Sequence, residues 1–185
     1  MKLFELVIFD LDGTIVDSGQ TVLRLLNGIR RHLNMPVMEF SEISPVLSLG
    51  GRKLIEAALG TTVNSQEYLE HFRAMYLNDS LVGEELYPGF LEYLHVLKKN
   101  KINTAICSNK PSQLVEKVLT YHKIEQHFEF TLADNGLLPK KPSPEPPTSR
   151  CGARAATRSW TGAPARPRSP ATPVGSRAPS DSRSG

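Results

Sequence analysis

Asp10 and Asp12, separated by one residue, follow the apolar run Leu6 to Phe9 and precede Gly13 and Thr14. Two carboxylates at that spacing suit phosphoryl transfer. One can attack phosphorus and carry the phosphoryl group as an acyl phosphate, which splits a hard hydrolysis into two easier steps. The other can give a proton to a leaving alcohol and later take one from water. A magnesium ion, which prefers hard oxygen ligands, would neutralise charge between the acids and a phosphate. Gly13 gives the backbone freedom for a sharp turn after the acids, and Thr14 offers a hydroxyl beside them. The competing reading is a solvated turn, because Asp and Gly are common turn formers.

Two further clusters carry candidate chemistry. Ser108 and Asn109 come between the apolar run Ile102 to Cys107 and a helical pattern starting at Pro111. A hydroxyl and free N–H groups at a helix start bind phosphate, although ordinary helix capping uses the same residues. Arg52 and Lys53 follow Gly50-Gly51, where they can reach a substrate anion or simply solvate a helix start. The five histidines, at positions 32, 71, 95, 122 and 127, lack partners at metal-ligand spacing and take no assigned role.

These residues need a framework to hold them. Leu6 to Phe9 is a continuous apolar run of the kind required by a strand buried on both faces, and such strands present ligands at their carboxyl ends. The period then becomes helical: Val22, Leu25, Leu26, Ile29 and Leu33 mark one face until Pro36. Residues 40–49, 52–59 and 66–77 continue the amphipathic pattern, with glycines at 50, 51 and 60 as punctuation. An all-helical insertion over residues 17–82 is expected. The α/β pattern resumes with Pro88 in the first turn of a helix bearing Phe90, Leu94 and Leu97. The strand Ile102 to Cys107, a turn, a helix from Pro111 to about His122 and a third strand, Phe128 to Leu132, follow. Crossovers of that length give a parallel sheet.

Composition bounds the function classes. The chain has 185 residues, enough for one domain with an insertion. No apolar run approaches the roughly 18 residues of a spanning helix, and Glu5 and Asp10 interrupt any leader-like stretch, so a cytoplasmic location is expected. Cys107 and Cys151 suggest reduced thiols rather than a disulfide framework. The net charge of +3 is uneven: residues 142–185 carry seven Arg against Glu145 and Asp181. Trp160 is the one aromatic there and no folded reader motif accompanies it, so nucleic acid is not the expected partner.

The stretch Asp10-Leu11-Asp12-Gly13-Thr14 resembles the first motif of the haloacid dehalogenase-like hydrolases. Ser108 matches the second motif and Lys141-Pro142 the third. With Tyr87-Pro88-Gly89 and Ser108-Asn109-Lys110-Pro111, these residues are similar to the phosphoglycolate phosphatase branch, with β-phosphoglucomutase-like enzymes as near relatives. The resemblance implies a Rossmann-like α/β core over 1–16 and 83–145, with residues 17–82 as a helical cap. It implies Asp10 as nucleophile, Asp12 as general acid/base and Lys141 as the cation that stabilises transition-state charge. Thr14, Ser108, Asn109 and Arg52 become the phosphate and substrate contacts, and Mg²⁺ would take the Asp10 carboxylate and the Asp12 carbonyl. A small phosphorylated metabolite is the implied partner; oligomeric state is left open. The acid at position 12 argues against the dehalogenase branch.

After Glu145 the resemblance implies a helix, a strand and a Gly-Asp-x-x-x-Asp motif completing the metal site. Residues 146–185 instead contain no Lys, Leu, Ile, Phe or Tyr, a composition that cannot bury a core, and they are expected to be disordered. The abrupt change reads as a shifted reading frame or a fused unrelated segment. Weakened metal binding, impaired or absent turnover and an exposed apolar edge at Leu6 to Phe9 are the expected consequences. The alternatives are therefore an inactive phospho-ligand or Mg²⁺-binding remnant and a β-phosphoglucomutase-like phosphotransferase.

Overall fold

The computed structural model describes residues 5–135 and Lys141. Lys140, Pro142 to Glu145 and the tail 146–185 lie outside the described residues, as does the expectation of disorder there.

Three parallel strands form the main sheet in the order β1-β4-β5, with β1 at Leu6–Phe9, β4 at Asn103–Pro111 and β5 at Phe130–Asp134. The expected parallel α/β architecture is present, with three differences. First, β1 is not enclosed on both faces: it forms the expected apolar edge of the described sheet, paired only with β4, from Leu6 opposite Asn103 to Phe9 opposite Ile106. It is part-buried, and Ile8 is 36% exposed. The strand buried on both faces is β4, whose residues Thr104 to Ser108 are all buried between β1 and β5. Second, β4 does not turn after Cys107. It runs on through Ser108 to Pro111, with an irregular register against β5 over that stretch. Third, the last strand begins two residues later than its apolar run suggests, because Glu125–His127 form a 3₁₀ turn that carries Phe128 toward the core.

A second, two-stranded antiparallel ribbon pairs β2 (Val16–Asp17) with β3 (Glu85–Leu86). Between its strands run four helices: α1 (Gly19–His32), α2 (Phe40–Ile43), α3 (Gly51–Leu59) and α4 (Ser65–Asn78), with a 3₁₀ turn, Ser44–Leu49, after α2. Each longer helix buries the stripe its period marks: Val22, Leu25, Leu26 and Ile29 on α1, Leu54, Ile55, Ala58 and Leu59 on α3, Leu69, Phe72 and Tyr76 on α4. Arg30, Arg31 and His32 in the last turn of α1 complement its macrodipole.

Helices α5 (Phe90–Lys99) and α6 (Ser112–His122) belong to the sheet. Pro88 does not occupy the first turn of α5. The helix starts at Phe90 with Gly89 as its cap at φ 81°, a left-handed conformation that glycine adopts without a Cβ penalty. One continuous apolar cluster runs from Leu11 through the helices of the insertion to Val118 and Ile124. The insertion and the sheet layers therefore share a core.

Candidate active site

Asp10 follows the last residue of β1, where the sheet ends and the chain turns. Leu11 is fully buried and anchors the turn: its carbonyl accepts from the N–H groups of Thr14, Ile15 and Val16. Gly13, at φ 73°, closes the loop by donating to the Val16 carbonyl at 2.9 Å. With Leu11 held inward, the acids on either side of it stay accessible, the Asp10 side chain 46% exposed and that of Asp12 40%.

Each acid is matched to its own lysine. The Lys141 Nζ lies 2.7 Å from Asp10 Oδ1 and also donates to the Cys107 carbonyl at 2.9 Å. The Leu11 N–H donates to the same Asp10 oxygen at 2.8 Å. The Lys110 Nζ lies 2.9 Å from Asp12 Oδ1, which also accepts from the Ser18 hydroxyl at 2.6 Å. Two like charges so close in sequence would repel, and a fixed cation on each offsets that repulsion.

The predicted residues fall into place unequally. Asp10, Asp12 and Lys141 are brought together. Asn109 joins them through Lys141: its Oδ1 accepts from the Lys141 N–H at 2.8 Å and its Nδ2 donates to the Lys141 carbonyl at 3.2 Å. Its side chain thus holds the lysine's backbone. Ser108 is buried and its hydroxyl accepts from the Lys110 N–H at 3.1 Å. Neither residue is at a helix start, because β4 continues to Pro111 and α6 begins at Ser112. Thr14 is exposed in the turn beside the acids. Arg52 is bonded within the insertion, to the Ser65 hydroxyl at 3.1 Å and Glu56 at 3.2 Å, and makes no contact with the acids among the described residues.

Four residues escaped the sequence reading as functional: Ser18, Tyr76, Glu84 and Lys110. The Lys110 ammonium sits 4.0 Å from the Tyr76 ring centroid, and the Tyr76 hydroxyl donates to Glu84, with oxygens at 2.8 and 2.7 Å. Burial raises the Glu84 pKa, opposed by the Tyr76 hydrogen bond and the Lys110 charge. Burial, then the nearby Glu84 and Asp12 charges, raises that of the Tyr76 phenol, so it stays a neutral donor. An apolar helix face predicts a buried Tyr76, but no local pattern announces its polar partner.

The Asp10 carboxylate is a hard oxygen donor, and among the described residues both its partners fall on Oδ1, leaving Oδ2 for a cation. The turn's own backbone bonds end on the carbonyls of Leu11 and Val16 rather than on that of Asp12. These donors suit Mg²⁺ in kind. Among the described residues no cluster of three or more His, Cys, Asp or Glu is poised to hold a metal.

The sheet, the acid pair and the lysine define the class: the chain belongs to the haloacid dehalogenase-like hydrolase family, whose model matches residues 7–155. That match extends ten residues beyond the point at which the sequence resemblance stops. The chain is 30% identical over 140 residues to a phosphoglycolate phosphatase of Aquifex aeolicus, covering 76% of this chain and 65% of that protein. It is 24% identical over 148 residues to an N-acetylmuramic acid 6-phosphate phosphatase of Pseudomonas aeruginosa, covering 78% and 65%. The chain thus spans just under two thirds of the length of both relatives. Among solved structures it superposes on a predicted phosphoglycolate phosphatase from Haemophilus somnus with TM-score 0.70 and 26% identity, covering 82% of this chain and 72% of that one.

Proposed function

We propose that this chain is a phosphomonoester hydrolase of the phosphoglycolate phosphatase type, acting through an aspartyl-phosphate on Asp10. The observation that carries the reading is the Lys141 ammonium 2.7 Å from Asp10, delivered from a distant loop and clamped by Asn109. A lysine at a solvated surface would have no need of a two-bond backbone clamp.

An Asp10 oxygen attacks phosphorus, and the leaving alcohol departs with a proton from Asp12. Water then attacks the acyl phosphate, giving its proton to Asp12 and releasing phosphate and the Asp10 carboxylate. Lys141 opposes charge on the transferring group. Ser108 and Thr14 provide hydroxyls for the phosphoryl oxygens, Asn109 fixes Lys141, and Arg52 is our candidate for a distal substrate anion. Mg²⁺, held by the Asp10 carboxylate and the Asp12 carbonyl, would supply charge neutralisation at the phosphate. Residues 17–82 form the cap, residues 1–16 and 83–145 the core. The substrate is a small phosphorylated metabolite, as the relatives' names suggest, and the location is the cytoplasm; among the described residues no helix is long and apolar enough to cross a membrane.

Phosphate release from phosphoglycolate with Mg²⁺ tests the reading. The unaltered chain is expected to turn over at an impaired rate and Asp10→Asn to lose all turnover; activity retained in that variant would overturn the assignment. A second reading has one observation in its favour, the missing three-acid cluster among the described residues. A chain that binds a phosphate mimic such as tungstate without hydrolysing any phosphomonoester would be a non-catalytic remnant.

A further inference from the structure

We propose that Lys110 is a positioning residue for Asp12, itself carried by the buried Tyr76–Glu84 pair, so that helix α4 of the insertion helps place the carboxylate handling the leaving-group proton. The inference rests on the proton-transfer role proposed above for Asp12.

Four separate segments contribute: the turn after β1 gives Asp12, β4 gives Lys110, α4 gives Tyr76, and the segment before β3 gives Glu84. The Lys110 side chain is only 9% exposed and has surrendered most of its hydration. An ammonium so placed needs compensation, and its described partners are Asp12 Oδ1 at 2.9 Å and the face of Tyr76 at 4.0 Å. Tyr76 and Glu84 are each 1% exposed and bonded to one another, so the ring that floors the ammonium is fixed at its far end. Lys110 makes no contact with Asp10, whose cation is Lys141. Each acid therefore has its own ammonium, and removing one leaves the other in place.

The chemical consequence concerns orientation. Lys110 and Ser18 both bind Oδ1 of Asp12, which stops rotation of the carboxyl and leaves Oδ2 without a partner among the described residues. That oxygen is the one available to exchange a proton with the leaving group. A freely rotating carboxyl would spend part of its time misaligned, and general acid catalysis falls accordingly.

Two substrates separate positioning from mere structure. Departure of p-nitrophenolate from p-nitrophenyl phosphate needs little protonation, whereas the alkoxide of phosphoglycolate needs a full proton. In Lys110→Met, kcat on phosphoglycolate is expected to fall by about ten- to hundredfold, kcat on p-nitrophenyl phosphate by only a few-fold, with KM within about twofold for both. Lys110→Arg should recover most of the loss, and Tyr76→Phe, which keeps the ring and breaks the bond to Glu84, should show the same substrate asymmetry in milder form. If Lys110→Met does not fold, Tyr76→Phe decides alone. Equal losses on both substrates, or a raised KM with kcat unchanged, would overturn the proposal. A wild-type chain inactive on both substrates would sink the phosphatase reading instead. A double-mutant cycle in thermal unfolding between Lys110→Met and Asp12→Asn then decides for Lys110: non-additive Tm shifts support the contact, and additive shifts overturn it.

Discussion

Asn109 shows what one side chain can do for another's chemistry. In the proposed mechanism Lys141 acts electrostatically, which an ammonium on a long flexible stem does poorly unless its backbone is fixed, and the two hydrogen bonds between Asn109 and the main chain of Lys141 supply that restraint. Lys141→Met is expected to lower kcat on phosphoglycolate by about 10²- to 10³-fold. Asn109→Ala, which leaves the charge in place but unclamped, should cost about tenfold, measured as kcat at saturating substrate. Glu84 offers a second test. Its carboxyl keeps its proton to higher pH in the folded chain than its ordinary value of 4.5, because burial penalises the charge. The folded state thus binds more protons than the unfolded one, and stability falls as pH rises through and beyond 4.5. Glu84→Gln removes that titration. The Tm of the wild type should decline relative to Glu84→Gln between about pH 4 and pH 7; parallel curves would contradict the assignment.

Among the elements, the β2–β3 ribbon and the start of α1 tie the helical insertion to the sheet. The ribbon pairs Val16 with Leu86 and Asp17 with Glu85, bringing both ends of the insertion to one place beside the acids. A bidentate ion pair reinforces this arrangement inside the insertion: Arg24 on α1 meets Asp79, just past α4, at 2.6 and 2.8 Å. Asp79 Oδ1 also accepts from the Leu81 N–H at 2.8 Å, fixing the chain as it leaves α4. The Arg24 hydrogen bonds, then the Leu81 N–H, hold the Asp79 carboxyl below its ordinary 3.8. Its contribution is therefore present above that pH and lost as pH falls below it. Asp79→Asn should destabilise by about 1 kcal/mol at neutral pH in denaturant unfolding, and the difference should shrink towards pH 3.

In the molecule as a whole, one apolar cluster joins the insertion to the α/β layers, and the sheet leaves β1 on its edge among the described residues. Phe9 covers one side of that edge, meeting Phe90 at a 5.3 Å and Phe128 at a 6.4 Å centroid separation. Ile8 stays 36% exposed, beside strand hydrogen-bonding groups facing away from β4. Apolar edges of this kind pair with other chains. Ile8→Lys is expected to reduce concentration-dependent light scattering of the full chain while leaving its unfolding free energy within about 1 kcal/mol of wild type; unchanged scattering would show that this edge is not the adhesive surface.

The parallel strands, the amphipathic helices and the acid pair are legible in the chain alone, because strand and helix periods and the Asp-x-Asp-Gly-Thr spacing are local signals. The sequence also singled out Lys141, through a motif that only a family resemblance made legible. Tertiary structure decided which strand is enclosed, that β4 runs past Ser108, and that Asn109 serves the lysine. It also assembled Ser18, Tyr76, Glu84 and Lys110 around Asp12. Each of those outcomes depends on contacts between segments distant in the chain, and a buried charge reveals its partner only once folding has brought the two within hydrogen-bond reach.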